Sequence, residues 1–471
     1  MKNKGIFEWI HILLFLILIS IPSVGMLFYK TDMSAEKRTA AVFPQVKKEG
    51  KLNTKFFDEL DLYYKDHFAY RQEMITLDEL LSTKIFETSQ NKDVVYGTEG
   101  WLFYGETMDE YMCRNVLSDR QIHNAARSLK LMQDYAKSYN ANFLVAVAPI
   151  KAELYSRFMP GNYLPVSGEN NYDKLKAAMD EEGVNYVDLH KAFAEDERIM
   201  YHKQDTHWNN EGAAFAQKQI QLKLNNEYTD YDNINKSVKK DFKGDLMRML
   251  YPKGDELDDN VYYDKEFDFT YFDGFKNTED YKIEASNDTK DKSLVMYRDS
   301  YGNSLVPFMA NEYGKSYFTK IVPFNMEDIK EHEATDVVLE ITQRHISYFT
   351  KYLPVMKSLY KEIDIADTKQ MDVDVNIKYD ETTKKYVIYG NLDKNYWDED
   401  SNVFVRITDS HYVTDYEAFP VGYNDVNSDN EYMFSMYVNA NEIVSGESEI
   451  EIISDKGNKY TSSGVVLKVE K

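Results

Sequence analysis

Leu294-Val295-Met296-Tyr297-Arg298-Asp299-Ser300-Tyr301-Gly302 joins a short apolar run to a serine and a glycine, and Leu305, Val306, Phe308 and Met309 follow at helical spacing. The apolar run is brief and unbroken, the pattern of a strand buried on both faces. A strand that turns into a helix at the carboxyl edge of a parallel sheet is where α/β folds place their ligands. Such a turn also lifts a hydroxyl out of the sheet and aims backbone N–H groups at a developing oxyanion. On its own, a serine in this position is more often a helix N-cap than a nucleophile.

The same alternation recurs on either side. Phe143-Leu144-Val145-Ala146-Val147-Ala148 reads as another buried strand, preceded by a helix over 119–140 and followed by a helix over 172–182, a strand over 185–189 and a helix after Trp208. Asp336 to Ile341 adds one more strand. Repeated β then α predicts an α/β domain over 96–365, a parallel sheet with helices on both faces. Inside it, 225–292 is polar, rich in Asp and Tyr, and reads as an insertion near the site. From 370 to 471, short alternating runs such as Val373 to Tyr379, Val403 to Ile407 and Glu449 to Ile453 predict a C-terminal all-β sandwich. Residues 31–95 read as a membrane-proximal helical segment, with Phe56, Leu60 and Tyr63, then Met74, Leu77 and Leu81, at helical spacing.

Lys2 and Lys4 precede an apolar run from Trp9 to Tyr29, closed by Lys30. The run matches the ~20 residues a helix needs to cross a bilayer, so residues 1–30 read as an N-terminal transmembrane signal anchor. The flanking lysines predict a single-pass protein of the cell membrane with a cytoplasmic N-terminus and everything after Tyr29 extracellular. A cleaved signal peptide is the alternative, since Ser23-Val24-Gly25 offers small residues two apart, but the run is longer than a signal peptide's apolar region. The 471 residues carry 80 acidic against 56 basic side chains, a net charge of −24, which argues against nucleic acid as a partner. Cys113 is the single cysteine and has no internal disulfide partner.

Well upstream of Ser300 lies Asp205-Thr206-His207-Trp208. His207 sits in a loop just before a helix that Asn209 or Asn210 caps. Asp205 can accept from one ring nitrogen and leave the other free to take a proton from Ser300. Asp-x-His without a third ligand nearby is a poor zinc pattern, His332, His345 and His411 are isolated, and there is no glycine-rich phosphate loop. No metal and no bound cofactor are expected.

With its neighbours, the stretch Asp205-Thr206-His207-Trp208-Asn209-Asn210-Glu211-Gly212-Ala213 resembles the DHHW-type motif of the AlgX- and AlgJ-like SGNH-hydrolase-like family of polysaccharide O-acetyltransferases. Val295 to Gly302 resembles that family's nucleophile motif. Asp66-His67-Phe68 with Arg71, Gly97 to Phe103, Pro149-Ile150-Lys151 and Gly244-Asp245-Leu246 agree with it, so the resemblance spans about 36–350. It implies Ser300 as nucleophile, His207 as general base and Asp205 as the carboxylate that orients it. In the wider SGNH group the serine comes first in the chain; here it comes last, and triad geometry tolerates either order. Arg298, Tyr301, Trp208, Lys151 and Arg344 are candidates for substrate binding or oxyanion stabilisation. Each has a plainer alternative, as an arginine beside a buried strand often pairs with a structural acid and a tryptophan beside a loop is often a packing anchor.

The resemblance further implies an extracytoplasmic, membrane-anchored O-acetyltransferase acting on an exopolysaccharide or cell-wall glycan. Its acetyl groups would come from a multispanning membrane O-acyltransferase; the C-terminal sandwich, outside the resemblance, is a candidate glycan-holding module. Two other readings stay open: a carbohydrate esterase with the same triad, and a non-catalytic polysaccharide-binding or assembly protein.

Overall fold

The computed structural model describes residues 2–29, 39–48, 50–166, 168–365, 367–368, 373–392, 394–423, 430–443, 448–456 and 459–469; Lys30, read above as closing the apolar run, lies outside them. Helix α1 spans Lys2–Gly25, and its window Glu8–Gly25 is long and apolar enough to cross a membrane while only 6% of it is buried. Helices α2 (Phe56–His67) and α3 (Arg71–Phe86) meet at an elbow. That elbow is fixed to the end of α1: the Ala69 N–H donates to the Pro22 carbonyl at 3.0 Å, and the Ser23 and Tyr64 hydroxyls lie 2.8 Å apart.

Helix α4 (Asp119–Ser138) opens on a capping box, Ser118 with Gln121. It buries Ile122, Ala125, Leu129 and Met132, which recur every three or four residues. Strand β1 (Asn142–Ala148), helix α5 (Asn171–Glu182), strand β2 (Tyr186–Val187) and helix α6 (Asn210–Lys223) follow. The Asp- and Tyr-rich stretch then supplies β3 (Lys236–Phe242), α7 (Asp245–Leu250), β4 (Asp258–Tyr263), β5 (Thr270–Tyr271) and β6 (Lys282–Ser286). Strand β7 (Ser293–Tyr297), helix α8 (Gly302–Ala310), β8 (Lys315–Thr319) and β9 (Asp336–Thr342) complete this part.

The main sheet runs β2-β1-β9-β7-β8-β6-β5. Its first five strands are parallel, as the alternation of elements predicts, but β6 pairs with β8, and β5 with β6, antiparallel, so the sheet is mixed. The reason is visible in burial. Every residue of β7 and β9 is buried, whereas β6 alternates buried and exposed, as an antiparallel strand near an edge does. Successive side chains of β1 enter two cores: Phe143, Val145 and Val147 pack under α4 and α5, and Leu144, Ala146 and Ala148 pack under α6 and α8.

The C-terminal part consists of β10 (Val373–Asp380), β11 (Lys385–Leu392), β12 (Val403–Thr408), β13 (Val413–Ala418), β14 (Met433–Asn439), β15 (Glu449–Ser454) and β16 (Thr461–Lys468). One sheet is β10-β11-β14; the other carries β16-β15-β12-β13 with Asp367–Thr368 at its edge. Ile388, Phe434 and Met436 from the first share a core with Val405, Ile407, Ile450 and Ile452 from the second, which makes a sandwich.

The sandwich is packed against α4. Val387, Phe419, Val421 and Tyr437 enter the core under that helix, and Arg127 on α4 reaches Glu182 at 2.7 Å and Glu417 at 2.5 Å. Because Glu417 is 3% exposed and its other cation, Lys361, stands farther off at 3.7 Å, removing Arg127 leaves a buried charge poorly compensated. Arg127→Met is therefore expected to lower stability by about 3 kcal/mol in denaturant unfolding. A loss indistinguishable from zero would mean that this pair does not secure the junction.

Candidate active site

The loop 205–208 and the turn 299–302 meet at the carboxyl edge of the parallel strands. Ser300 lies in the short turn between β7 and α8. Gly302 is required there: a Cβ at that position would come within 2.7 Å of the Arg298 Cβ. The Ser300 Oγ lies 2.9 Å from His207 Nε2, and His207 Nδ1 lies 2.7 Å from Asp205 Oδ1. These three residues form one continuous hydrogen-bonded chain, opening on a cleft of about 900 Å³ lined by Phe242, Arg248, Tyr281, Asn303, Lys320 and Tyr348 among others.

Asp205 is held from several sides. Its Oδ1 also accepts from the His207 N–H at 2.9 Å, and its Oδ2 accepts from the Asp245 N–H at 2.6 Å. Burial would push this carboxyl up, but His207 beside it, with His202 beyond, holds it well below the usual range. It is thus an anion at any pH near neutral. An anion fixed on Nδ1 selects the tautomer whose Nε2 is free to accept from serine. Asp205, His207 and Asp245 also bring potential ligand atoms within 4.8 Å of one another, but hydrogen bonds among these residues already account for that closeness.

The five candidates for substrate binding or oxyanion stabilisation each make contacts that fix parts of the site or lie beside it. Trp208 is fully buried, so it has no face to stack on a sugar; its Nε1 donates to the Tyr301 carbonyl at 3.0 Å. Tyr301 is buried too, and its hydroxyl returns a bond to the Thr206 carbonyl at 3.0 Å. The two side chains therefore cross-brace the two motifs. Lys151 is buried and donates to the carbonyls of His202, Lys203 and Asp205, at 3.1, 3.1 and 2.6 Å, which fastens the loop carrying Asp205. Burial lowers its amine to about 8 against the opposing pull of Asp205, Asp245 and Asp258.

Arg298 is buried, donating to the carbonyls of Thr278 and Asp280 at 2.9 and 3.0 Å and to Asn303 Oδ1 at 2.6 Å. It pins a wall of the cleft and does not point at Ser300 as a free donor. Arg344 stacks over Tyr104 at 5.1 Å and lines a separate cleft of about 460 Å³.

Asp245, Asp299, His345 and Lys320 also stand at the cleft, and the sequence alone assigns them no role. Asp245 accepts from the Thr206 N–H at 2.8 Å, and Gly244 before it lies where a Cβ would meet the Gln204 carbonyl at 2.0 Å. Asp299 caps the turn by accepting from the Tyr301 and Thr342 N–H groups, each at 2.8 Å, and its Oδ2 lies 2.8 Å from His345 Nδ1. The separation between Asp299 and His345 in the chain hides that pair. Lys320 stands at the carboxyl end of β8, the same placement that singles out Lys151, but Lys315–Thr319 lacks an unbroken apolar run and does not read as a strand.

Burial and the nearby Arg298 charge bring the Lys320 amine down from 10.5 to about 8. The folded state therefore releases this proton before the unfolded state does. Between about 8 and 10.5 the unfolded chain binds more protons, so this group makes stability rise with pH across that window. Lys320→Met is expected to remove that rise, read as denaturation midpoints of both proteins from below about 8 up to 10.5. Parallel pH profiles for the two would contradict it.

Residues 94–261 match the family model described as the SGNH hydrolase-like domain of the acetyltransferase AlgX, a span that includes the 205–208 loop and ends before Ser300. The match, over less than half of the chain, makes this stretch similar to an SGNH-hydrolase-like domain of the AlgX kind. Solved structures with a similar fold include a DHHW family protein from Eubacterium siraeum, 19% identical, with 55% of this chain and 93% of that one covered at a TM-score of 0.41. PatB1 from Bacillus cereus is 14% identical, covering 55% and 99% at 0.43. The O-acetyltransferase domain of Pseudomonas putida AlgJ is 16% identical, covering 55% and 93% at 0.36. No curated protein matches the chain at a significant level of sequence similarity.

Proposed function

We propose that this chain is an extracytoplasmic, membrane-anchored O-acetyltransferase that moves an acetyl group onto an exopolysaccharide or cell-wall glycan. The observation that carries the reading is the unbroken Asp205–His207–Ser300 chain at the cleft. The acetyltransferase description of the matching family model supports it.

Chemically, Ser300 Oγ attacks the acyl carbonyl of a donor ester while His207 Nε2 takes its proton. The buried Asp205 anion stabilises the imidazolium that results. The leaving alcohol departs with that proton, and Ser300 is left as an acetyl ester. A glycan hydroxyl then gives its proton to His207 and attacks the ester carbonyl, which forms the acetylated sugar and returns the serine. No step needs a cofactor. Because acetyl-CoA is cytoplasmic, the donor is supplied across the membrane by a multispanning O-acyltransferase, and α1 keeps the domain beside it. The sandwich is the glycan-holding part.

The test uses the full chain in detergent with an acetyl ester donor, with and without oligosaccharide. Acetylated sugar supports transfer; hydrolysis of donor or polymer alone makes the chain an esterase. Neither activity, together with unchanged glycan acetylation in cells carrying Ser300→Ala, leaves a non-catalytic polysaccharide-binding protein and overturns the proposal.

A further inference from the structure

Helix α3 turns an apolar row outward. Four of its polar residues, Gln72, Glu79, Ser82 and Thr83, are buried, while Met74, Leu77, Leu81 and Ile85 are between 44% and 64% exposed, alongside the charged Glu73, Asp78 and Lys84. A helix at the surface of a soluble domain presents the reverse arrangement. The rotation is not free, because the polar face is bonded to its surroundings. Thr83 Oγ1 lies 2.6 Å from the Tyr251 hydroxyl, and Glu79 Oε2 accepts from the Ser89 hydroxyl and the Gln90 N–H, each at 3.2 Å. Met74, Leu77, Leu81 and Ile85 recur at intervals of three, four and four, so they form a single apolar row along the helix.

The position of α3 says what covers this row. The helix begins at the elbow fixed to the end of α1, where a Cβ on Gly25 would meet the Ala69 Cβ at 2.4 Å and the Tyr29 and Tyr70 rings lie 5.0 Å apart. If α1 crosses the bilayer, these tyrosines stand at its outer interface, the depth at which tyrosine rings are enriched. The apolar row of α3 therefore begins beside the end of α1. We propose that α3 lies on the outer leaflet with Met74, Leu77, Leu81 and Ile85 set into the lipid as an interfacial helix. This rests on the membrane-anchored reading of α1 and adds to it a second, lateral contact that fixes how the catalytic domain is oriented over the membrane.

The full chain, carrying Cys113→Ser and one new cysteine, is labelled with a polarity-sensitive fluorophore and reconstituted in phosphatidylcholine vesicles containing spin-labelled lipid. With Leu81→Cys, emission is expected to shift to shorter wavelength and to be mostly lost to lipid spin-labelled high in its chain. Leu14→Cys, on α1, reports separately on the anchor and is quenched by lipid spin-labelled near the chain end if α1 spans. A Leu81→Cys label quenched by aqueous iodide and untouched by spin-labelled lipid overturns the proposal, whatever Leu14→Cys shows. A label shielded from both, with energy transfer between copies, also overturns it and assigns the row to a second copy of the chain.

Discussion

Ser300→Ala is expected to lower acyl transfer by about 10⁶-fold, the scale on which a lone serine nucleophile is lost from a triad. The expectation rests on position. Ser300 Oγ is the hydroxyl in contact with His207 Nε2, and Asp205 and His207 have no function in nucleophilic catalysis without it. Alanine keeps the backbone of the turn, because Asp299 caps it through the Tyr301 and Thr342 N–H groups and Gly302 is unchanged. The variant should therefore unfold at the same denaturant concentration as the parent and still bind glycan. A stable variant that retains more than a trace of transfer would move the nucleophile elsewhere.

Asp205→Asn should cost about 10⁴-fold in turnover while leaving glycan affinity nearly unchanged. The amide is the same size, but it presents a neutral group where an anion now accepts three bonds, from His207 Nδ1, the His207 N–H and the Asp245 N–H. Turned one way, its NH₂ faces Nδ1 and favours the tautomer that places a proton on Nε2, the atom meant to accept from serine. Turned the other way, it faces the Asp245 N–H donor to donor. Either way the base is compromised, and the measured loss should fall mainly on kcat. A loss confined to KM would show that Asp205 serves binding rather than proton transfer.

Much of this arrangement is legible in the sequence, for physical reasons. The strands β1, β7 and β9 are buried on both faces, so they read as unbroken apolar runs, and the residues just after them fall at the edge where sites form. That logic is enough to find Ser300. Proximity in the chain is enough to pair Asp205 with His207. The antiparallel β5 and β6 are not legible, because one is two residues long and the other is half wet. Nor are the roles of Trp208, Tyr301 and Lys151. A tryptophan beside a histidine reads the same whether it faces a sugar or the core, and the difference lies in carbonyls brought to it by distant parts of the chain. His345 is the extreme case, isolated in sequence and bonded to Asp299 in the fold.

The reciprocal bonds between Trp208, Tyr301 and the two backbones make the 205–208 loop and the 299–302 turn one mechanical part. Neither loop can drift without breaking a buried hydrogen bond in the other, so the gap between Ser300 and His207 is set before any substrate arrives. Misplacement by about 1 Å at such a gap costs on the order of 10²-fold in rate. The alignment belongs to the resting protein, and under the proposed transfer a donor and an acceptor arriving one after the other would meet the same geometry twice.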